Sequence, residues 1–466
     1  MASQNGQQEG HLQKRFSKIT MVGMSFAILN TWISLAGSIG LIMPSGGSVS
    51  FVYGFLFCII CSLCLAASLG ELASRWPTAG GQYHYAYALA SEKWRKSMSF
   101  LVGWINIAGW LTLNTTAAYF GARFLAAAAV AGSHYTYEIT KWGTYLMFVA
   151  VSIIGVLLNL FAYPILNRWN EGALYWSVTS VVVISIVLLA TSPKTDAAFV
   201  FTNFSNTTGW SDGTAWMLGL LQSALSFVGS VRSTITDRNA SAYKGCSQAM
   251  VASIMVGGVT GIVFILVMLF CAVDIDGLLA SATQSPLTEM IQQATGSYVA
   301  STVLTVAVAL LSHLHPKLNV PVRAILVQAV FNLLFGLIYL GPEVAFNAYI
   351  SSCTLFLNLS YAAPVIILLT RGRKIIMDEP PSFPLAESGF FCFPPAIPVD
   401  ASSMNYVVAV VGIFIIFVTG LWLFKRNAYQ GPNIELILGE ALPVIHADMA
   451  DPHSKTSEDT REKSSD

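Results

Sequence analysis

Charged residues are scarce in this chain of 466 residues, which has 24 basic and 24 acidic side chains and a formal net charge of zero. The sequence also lacks a Gly-Lys-Ser/Thr loop that would cradle phosphates, which excludes a nucleotide-driven pump. It contains no catalytic triad and no cluster of metal ligands, so we expect neither an enzyme nor a cofactor. The seven cysteines are too scattered to indicate a disulfide framework.

Three of these cysteines, Cys58, Cys61 and Cys64, do share the CxxCxxC spacing of some metal and cluster sites. They lie in an apolar stretch without polar neighbours that would support a metal. We therefore interpret them as packing residues of a helix.

Long hydrophobic runs dominate instead. Hydrophobic residues make up 55% of the chain, and the mean hydropathy is +0.63. A helix needs about 20 apolar residues to cross a bilayer, so the recurring stretches predict an all-α polytopic membrane protein. We expect a disordered cytoplasmic N-terminus at 1–15, a transmembrane domain at 16–430 and a mostly disordered cytoplasmic tail at 431–466. The candidate spans lie near 21–41, 50–70, 99–125, 143–162, 173–191, 214–236, 248–273, 298–311, 324–341, 345–369 and 404–424.

The distribution of Lys and Arg predicts the orientation. Most basic residues fall in alternate connections, and a cytoplasmic N-terminus places all of these inside. The other connections contain only Arg123, Lys141 and Lys194. The pair Lys425-Arg426 after the last span breaks this parity, which indicates either that the rule fails here or that one span is missing.

The first span carries the clearest functional signal. Its second half contains Ala36-Gly37-Ser38-Ile39-Gly40, and small residues of this kind weaken a helix. Backbone at membrane depth is tolerated outside a helix where it lines a cavity, so we predict an interruption here that binds a small polar solute. The alternative is that the small residues only let a neighbouring helix pack closely.

A motif at the end of the second span points to a family. The stretch GELASRWPTAGGQY at 70–83 closely resembles the cytoplasmic signature of the amino acid/polyamine/organocation (APC) superfamily. The similarity covers about residues 14–430 and is greatest to fungal amino acid, GABA and choline permeases. Further matching pieces are LNTW at 29–32, PSGG at 44–47, HPKLNVPVRA at 315–324, LIYLGPEVAFNA at 337–348 and FPPAIPVDASSMNY at 393–406.

This resemblance implies an APC-type bundle of two five-helix units in inverted repeat, with two broken helices. The sixth candidate span corresponds to the first and has its own interruption near Phe227. Half-helix N-termini there would attract a carboxylate, freed carbonyls would accept from an ammonium, and Phe227 would cover the solute. The predicted substrate-binding residues are Ser34, Ala36, Gly37, Ser38, Gly40, Phe227, Val228, Gly229 and Ser230.

Two charged residues are candidates for gating or coupling. Arg232 lies late in the sixth span, where it would bind a carboxylate, pair with Asp237 or snorkel toward the cytoplasm. Glu71 ends the second span and would serve a gate or a proton-coupled step, or pair with Arg75 four residues on. The segment 83–98 predicts a short helix along the cytoplasmic interface, as an anchor or part of the gate.

The chain departs from the family pattern in two places. The usual second half of the eighth span is absent after Leu310, and 380–385 passes directly to 390–395, where relatives have an eleventh span. Both look like lost internal segments. Spans 8 and 11 are therefore predicted to be shortened.

The resemblance implies secondary active transport of an amino acid or related amine, such as GABA or choline, by alternating access. We expect coupling to protons and a location in the plasma membrane, with the vacuolar membrane as the alternative. The expected partners are the small solute, protons and the lipid bilayer, and no nucleic acid. The alternative function is a non-transporting nutrient sensor, or an inactive product of the truncated spans.

Overall fold

The computed structural model describes residues 29–75, 80–161, 166–228, 240–312, 322–341, 343–371, 407–426, 429 and 431–432. The predicted disordered N-terminus and nearly all of the predicted tail lie outside these residues. The described parts of the chain are helical, apart from one isolated β-bridge between Ser45 and Asn206. The helices are α1 (Thr31–Ile42), α2 (Gly47–Arg75), α3 (Gln82–Leu89), α4 (Arg95–Gly132), α5 (Lys141–Phe161), α6 (Leu166–Thr191), α7 (Ala197–Thr202), α8 (Asp212–Leu225), α9 (Ala240–Cys271), α10 (Ile275–Leu279), α11 (Pro286–Thr295), α12 (Tyr298–Ser312), α13 (Val322–Gly336, followed by a 3-10 turn at Leu337–Leu340), α14 (Glu343–Arg371) and α15 (Val407–Lys425).

These helices coincide with the predicted spans and confirm an all-α polytopic membrane protein. Within the described ranges, four segments are both long and apolar enough to cross a bilayer, namely Gly47–Ala73, Lys141–Leu158, Met250–Cys271 and Ser351–Thr370. Large apolar side chains also point outward from the bundle. Ile60, Ile186 and Val299 are 61%, 60% and 72% exposed, as expected for surfaces that contact lipid rather than water.

The predicted position of the interruption in the first span is wrong. Helix α1 is continuous from Thr31 to Ile42, so Ala36 to Gly40 are helical. The break lies at Asn30, whose φ of 40° and ψ of 45° are left-handed, a conformation that Asn adopts more readily than other non-glycine residues. The small residues pack closely instead, because a Cβ on Gly37 would lie 3.2 Å from the Phe120 ring.

The helix of the sixth span ends where the sequence predicted an interruption. Helix α8 ends at Leu225, and residues 226–228 form a turn. The backbone N–H groups of Ser226, Phe227 and Val228 each donate to the carbonyl three residues earlier, which tightens the helix end. Residues 229–239 lie outside the described residues, and with them Gly229, Ser230 and Arg232.

Helix α1 lies in the centre of the bundle, where it contacts α8, α9 and α11. Trp32 is fully buried, its Nε1 donates to Ser177 Oγ at 2.9 Å, and its ring packs edge-on to Phe264 at 5.5 Å. The long helix α4 crosses beside it and packs on α12 and α14. This arrangement puts the N-terminal end of α1 inside the bundle, with Asn30 half-buried.

The short helices α10 and α11, between the seventh and eighth spans, were not predicted from the sequence. Helix α10 begins at the cap Asp274, whose side chain accepts from Gly277 N–H, and α11 begins with Pro286 and ends at the left-handed Gly296, a usual pattern for helix ends. Helix α11 lies against α1, α4, α6 and α12. The connection between the seventh and eighth spans thus covers one end of α1.

Two further predictions concern the cytoplasmic segment and the shortened spans. The segment 83–98 is only partly a separate helix, since α3 ends at Leu89 and α4 already begins at Arg95. Helix α12 is described from Tyr298 to Ser312, and residues 313–321 lie outside the described residues, so the predicted shortening of the eighth span stays a prediction. The predicted loss of the eleventh span falls at 372–406, outside the described residues.

Candidate functional site

Two cavities meet at the ring of Phe120 in α4. The narrow pocket has a volume of about 60 Å³ and is lined by Leu29, Asn30, Ile33, Ser34, Leu113, Thr116, Ala117, Phe120, Leu225 and Val228. The wide cavity has a volume of about 420 Å³ and is lined by Ala36, Gly37, Gly40, Leu41, Pro44, Tyr119, Phe120, Arg123, Phe124, Leu279, Gln284, Ser285, Pro286 and Tyr339.

The narrow pocket lies at both helix breaks. Asn30, just before α1, and Leu225, at the end of α8, both line it. Thr31 Oγ1 donates to Ser226 O at 3.3 Å and so ties the two breaks together. The N-terminus of α1, with a partial positive charge, therefore lies close to the C-terminus of α8, with a partial negative charge.

Ser34 places an unsatisfied hydroxyl at this pocket. Its Oγ is buried and has no hydrogen-bond partner in the described part of the protein, and the same holds for Ser226 Oγ at the end of α8. A buried polar group without a partner costs about 1–3 kcal/mol. Such a cost is understandable where a polar solute supplies the missing bond.

The wide cavity is formed where the small residues of α1 leave space. Gly40 has no atom closer than Leu279 Cδ2, at 3.6 Å from where its Cβ would lie. Helix α4 forms one wall, and the loop before α11 covers the cavity with Gln284, Ser285 and Pro286. The volume is within the range of about 300–1,000 Å³ that is typical of small-molecule sites.

Arg123 is the one charged side chain among the residues that line the wide cavity. Its Nη1 donates to Gln284 Oε1 at 2.9 Å and to Tyr119 Oη at 3.4 Å, and its Nη2 donates to the Gln284 carbonyl at 2.7 Å. The guanidinium also lies 5.8 Å from the centre of the Tyr119 ring. The sequence placed Arg123 in a connection, but α4 continues to Gly132 and brings it into the cavity wall.

The sequence-predicted binding residues are distributed between these two volumes. Ser34 and Val228 line the narrow pocket, whereas Ala36, Gly37 and Gly40 line the wide cavity. Two others line neither volume. Ser38 is fully buried and donates to Gln222 Oε1 at 3.5 Å, and Phe227 stacks on Phe55 with ring centres 5.0 Å apart.

Phe120 lines both cavities, whereas Phe227, which was predicted to cover the solute, lines neither. Phe120 was not singled out from the sequence, because one aromatic residue in an apolar span is an ordinary packing residue. Glu71 lies in the last part of α2 and lines neither cavity. Within the part of the chain that the structure describes, no three His, Cys, Asp or Glu residues are grouped so as to hold a metal ion.

Residues 19–315 match the model of a family described as amino acid permease. The chain belongs to the amino acid permease family. This permease is 31% identical to a Macrophomina phaseolina protein named as an amino acid/polyamine transporter. The alignment covers 84% of this chain and 97% of the relative. It is 29% identical to a choline transporter of Saccharomyces cerevisiae, with 90% of this chain and 82% of the relative covered.

A GABA-specific permease of the same yeast is 24% identical, with 94% of this chain and 86% of the relative covered. Among solved structures, the permease is similar to Mhp1, a nucleobase-cation-symport-1 family transporter in a closed conformation with bromovinylhydantoin bound. The identity is 14%, the TM-score is 0.46, and 93% of this chain and 92% of that chain are covered.

Proposed function

We propose that this permease moves an amino acid or related amine across a membrane by alternating access. The observation that carries the proposal is the pair of cavities beside α1: one of about 420 Å³ and one at the ends of α1 and α8, both lined by Phe120. Paired breaks in corresponding helices of the two repeats are where transporters of this architecture bind their solutes.

The electrostatics of the narrow pocket support a zwitterionic solute. The N-terminus of α1 favours a carboxylate, and the C-terminus of α8 favours an ammonium group. The unsatisfied Ser34 hydroxyl is available to either end of such a molecule. Choline offers only the cation, whereas GABA and the amino acids offer both charges.

Energy for net transport comes from a proton gradient in this proposal. Glu71, half-buried at the end of α2, is the carboxylate that would carry or gate the proton. We place the permease in the plasma membrane with its N-terminus in the cytoplasm, since this orientation puts most basic connections inside. The wide cavity then faces the exterior and the vacuolar membrane remains the alternative location.

Uptake by the purified full-length chain in liposomes tests the proposal. Labelled GABA, choline and a panel of L-amino acids are offered with and without an imposed gradient that is acidic outside. We expect protein-dependent uptake of at least one solute, increased by the gradient. Intact, monodisperse protein that accumulates none of them would contradict transport.

The coupling step is tested separately with Glu71→Gln. If Glu71 carries the proton, this variant keeps exchange of labelled for unlabelled solute but loses the stimulation by the gradient. Gradient-driven uptake equal to that of the unmodified chain would exclude Glu71 from coupling.

A non-transporting sensor, or an inactive product, is the second candidate function. The departure of the sequence from the family pattern after Leu310 is the observation that favours it. A sensor would bind solute, seen as a saturable rise in thermal stability, without any uptake. An inactive product would do neither.

A further inference from the structure

The guanidinium of Arg123 is a positive charge in the wall of a solute-sized cavity. Its side chain is half-buried, and an arginine keeps its charge at any physiological pH. None of the other residues that line the wide cavity carries a charge. The cavity is therefore electropositive at this point.

The partners of this guanidinium are all neutral. They are the side-chain amide and backbone carbonyl of Gln284 and the phenol of Tyr119. Among the residues that the structure describes, the one ion pair within 4.0 Å joins Arg95 to Glu92, far from this site. The acid of α11, Glu289, accepts instead from Tyr135 Oη at 2.8 Å.

The backbone of Gln284 adopts an unfavourable conformation. Its φ of 51° is left-handed, which a non-glycine residue without special support avoids. A carboxylate adds a negative charge of its own to the hydrogen bonds with a guanidinium and accepts two parallel bonds in a matching geometry, neither of which the single oxygen of a neutral amide offers. A carboxylate that enters the cavity can therefore displace the Gln284 side chain from Arg123.

We propose that Arg123 is a recognition site for the carboxylate of the solute, which makes this permease selective for amino acids over carboxylate-free amines such as choline. This inference rests on the proposed transport function and names the substrate class. Recognition takes place in the wide cavity, before the solute reaches the helix breaks. While the cavity holds no solute, the neutral Gln284 accepts the hydrogen bonds of Arg123 that the carboxylate of the solute would otherwise accept.

The test compares acids with amides of nearly equal size. Inhibition of tracer uptake is measured for GABA against 4-aminobutanamide and for L-alanine against L-alaninamide, with choline added to the panel. The unmodified chain is compared with Arg123→Met, Arg123→Lys and Lys141→Met in liposomes. Lys141 is the matched control, since it is another base predicted on the same side, bonds to Gly341 O and lines neither cavity.

We expect the unmodified chain to prefer each acid over its amide by about tenfold or more, the size of one charge-assisted hydrogen bond. Arg123→Met loses this preference because the affinity for the acids falls and that for the amides does not. Arg123→Lys keeps the positive charge but not the two parallel donors of the guanidinium, so its preference for acids should be intermediate. It is the informative variant if Arg123→Met fails to fold. Lys141→Met behaves as the unmodified chain does.

Two results would overturn the assignment and leave transport intact. One is an acid-to-amide preference that is the same in Arg123→Met as in the unmodified chain. The other is an unmodified chain that prefers choline or the amides. Absence of all uptake from intact protein would instead overturn the proposed transport, and this inference with it.

Discussion

The wide cavity and the narrow pocket share one ring, that of Phe120, yet differ in the chemistry that they offer. The wide cavity, about 420 Å³, presents side chains: a guanidinium, a carboxamide and two phenols. The narrow pocket, about 60 Å³, presents two helix ends and the hydroxyl of Ser34. In the proposed mechanism, side chains therefore select the solute in the wide cavity, whereas backbone dipoles bind it in the narrow pocket.

The difference in size also assigns an order to the two volumes. The narrow pocket, at about 60 Å³, is far smaller than the wide cavity, and only the wide cavity has a volume in the range typical of small-molecule sites. In the proposed mechanism the solute therefore enters the wide cavity first, and movement of Phe120 or its neighbours would then open the way to the helix ends.

Filling the wide cavity is expected to have the largest effect. Gly40→Leu puts a branched side chain into the space below Leu279 and Pro286, and we expect uptake to fall by about 100-fold or more, as for the loss of several contacts at once. Gly40→Ala is the matched control, because its Cβ meets Leu279 at an ordinary 3.6 Å. Initial uptake rates at equal surface expression measure both. Normal uptake by Gly40→Leu would remove the wide cavity from the pathway.

Removing the ring between the volumes should merge them. Phe120→Ala is expected to widen the range of accepted solutes and to raise Km for the best one by about tenfold, since a stacking wall worth about 1–2 kcal/mol is lost. Phe227→Ala is the comparison, because that ring packs on Phe55 and lines neither volume. It should lower stability and leave Km little changed. If Phe120→Ala and Phe227→Ala change Km equally, the claim that Phe120 contacts the solute and Phe227 does not would be wrong.

Two serines of α1 distinguish binding from packing with the smallest effects. Ser34→Ala removes a buried hydroxyl without a partner, so stability should hold or rise while Km rises by a few-fold, about one neutral hydrogen bond. Ser38→Ala removes a bond to Gln222, so stability should fall by about 0.5–1.5 kcal/mol with Km unchanged. Thermal melts and uptake kinetics on both variants provide the readouts. The opposite pattern would move the solute contact from Ser34 to Ser38.

The sequence predicted the fold because its signals are local. Each span is a run of apolar residues, and the turn after Leu225 falls where the sixth span was expected to break. The first break was misplaced because glycines are the usual sign of an unwound helix, while here a single Asn takes the left-handed conformation. An Asn within an apolar run, at Leu29-Asn30-Thr31-Trp32, was the available signal.

The chemistry of the wide cavity could not be predicted in the same way. Arg123 and Gln284 are 161 positions apart in the chain, and their contact depends on how the loop before α11 folds over α1. The extension of α4 to Gly132 adds to this, because Arg123 looked like a residue of a connection. Contacts of this kind arise from packing of distant segments, which hydrophobic periodicity does not encode.

The most direct measurement of the central claim is substrate protection of a cysteine placed in the wide cavity. In Gly40→Cys, the rate of modification by a charged methanethiosulfonate reagent is followed through loss of uptake, with the parent chain as control for its native cysteines. If the solute occupies this cavity, a concentration about ten times its Kd should slow modification by about tenfold. A rate that the solute leaves unchanged, in a variant that still transports it, would contradict the claim.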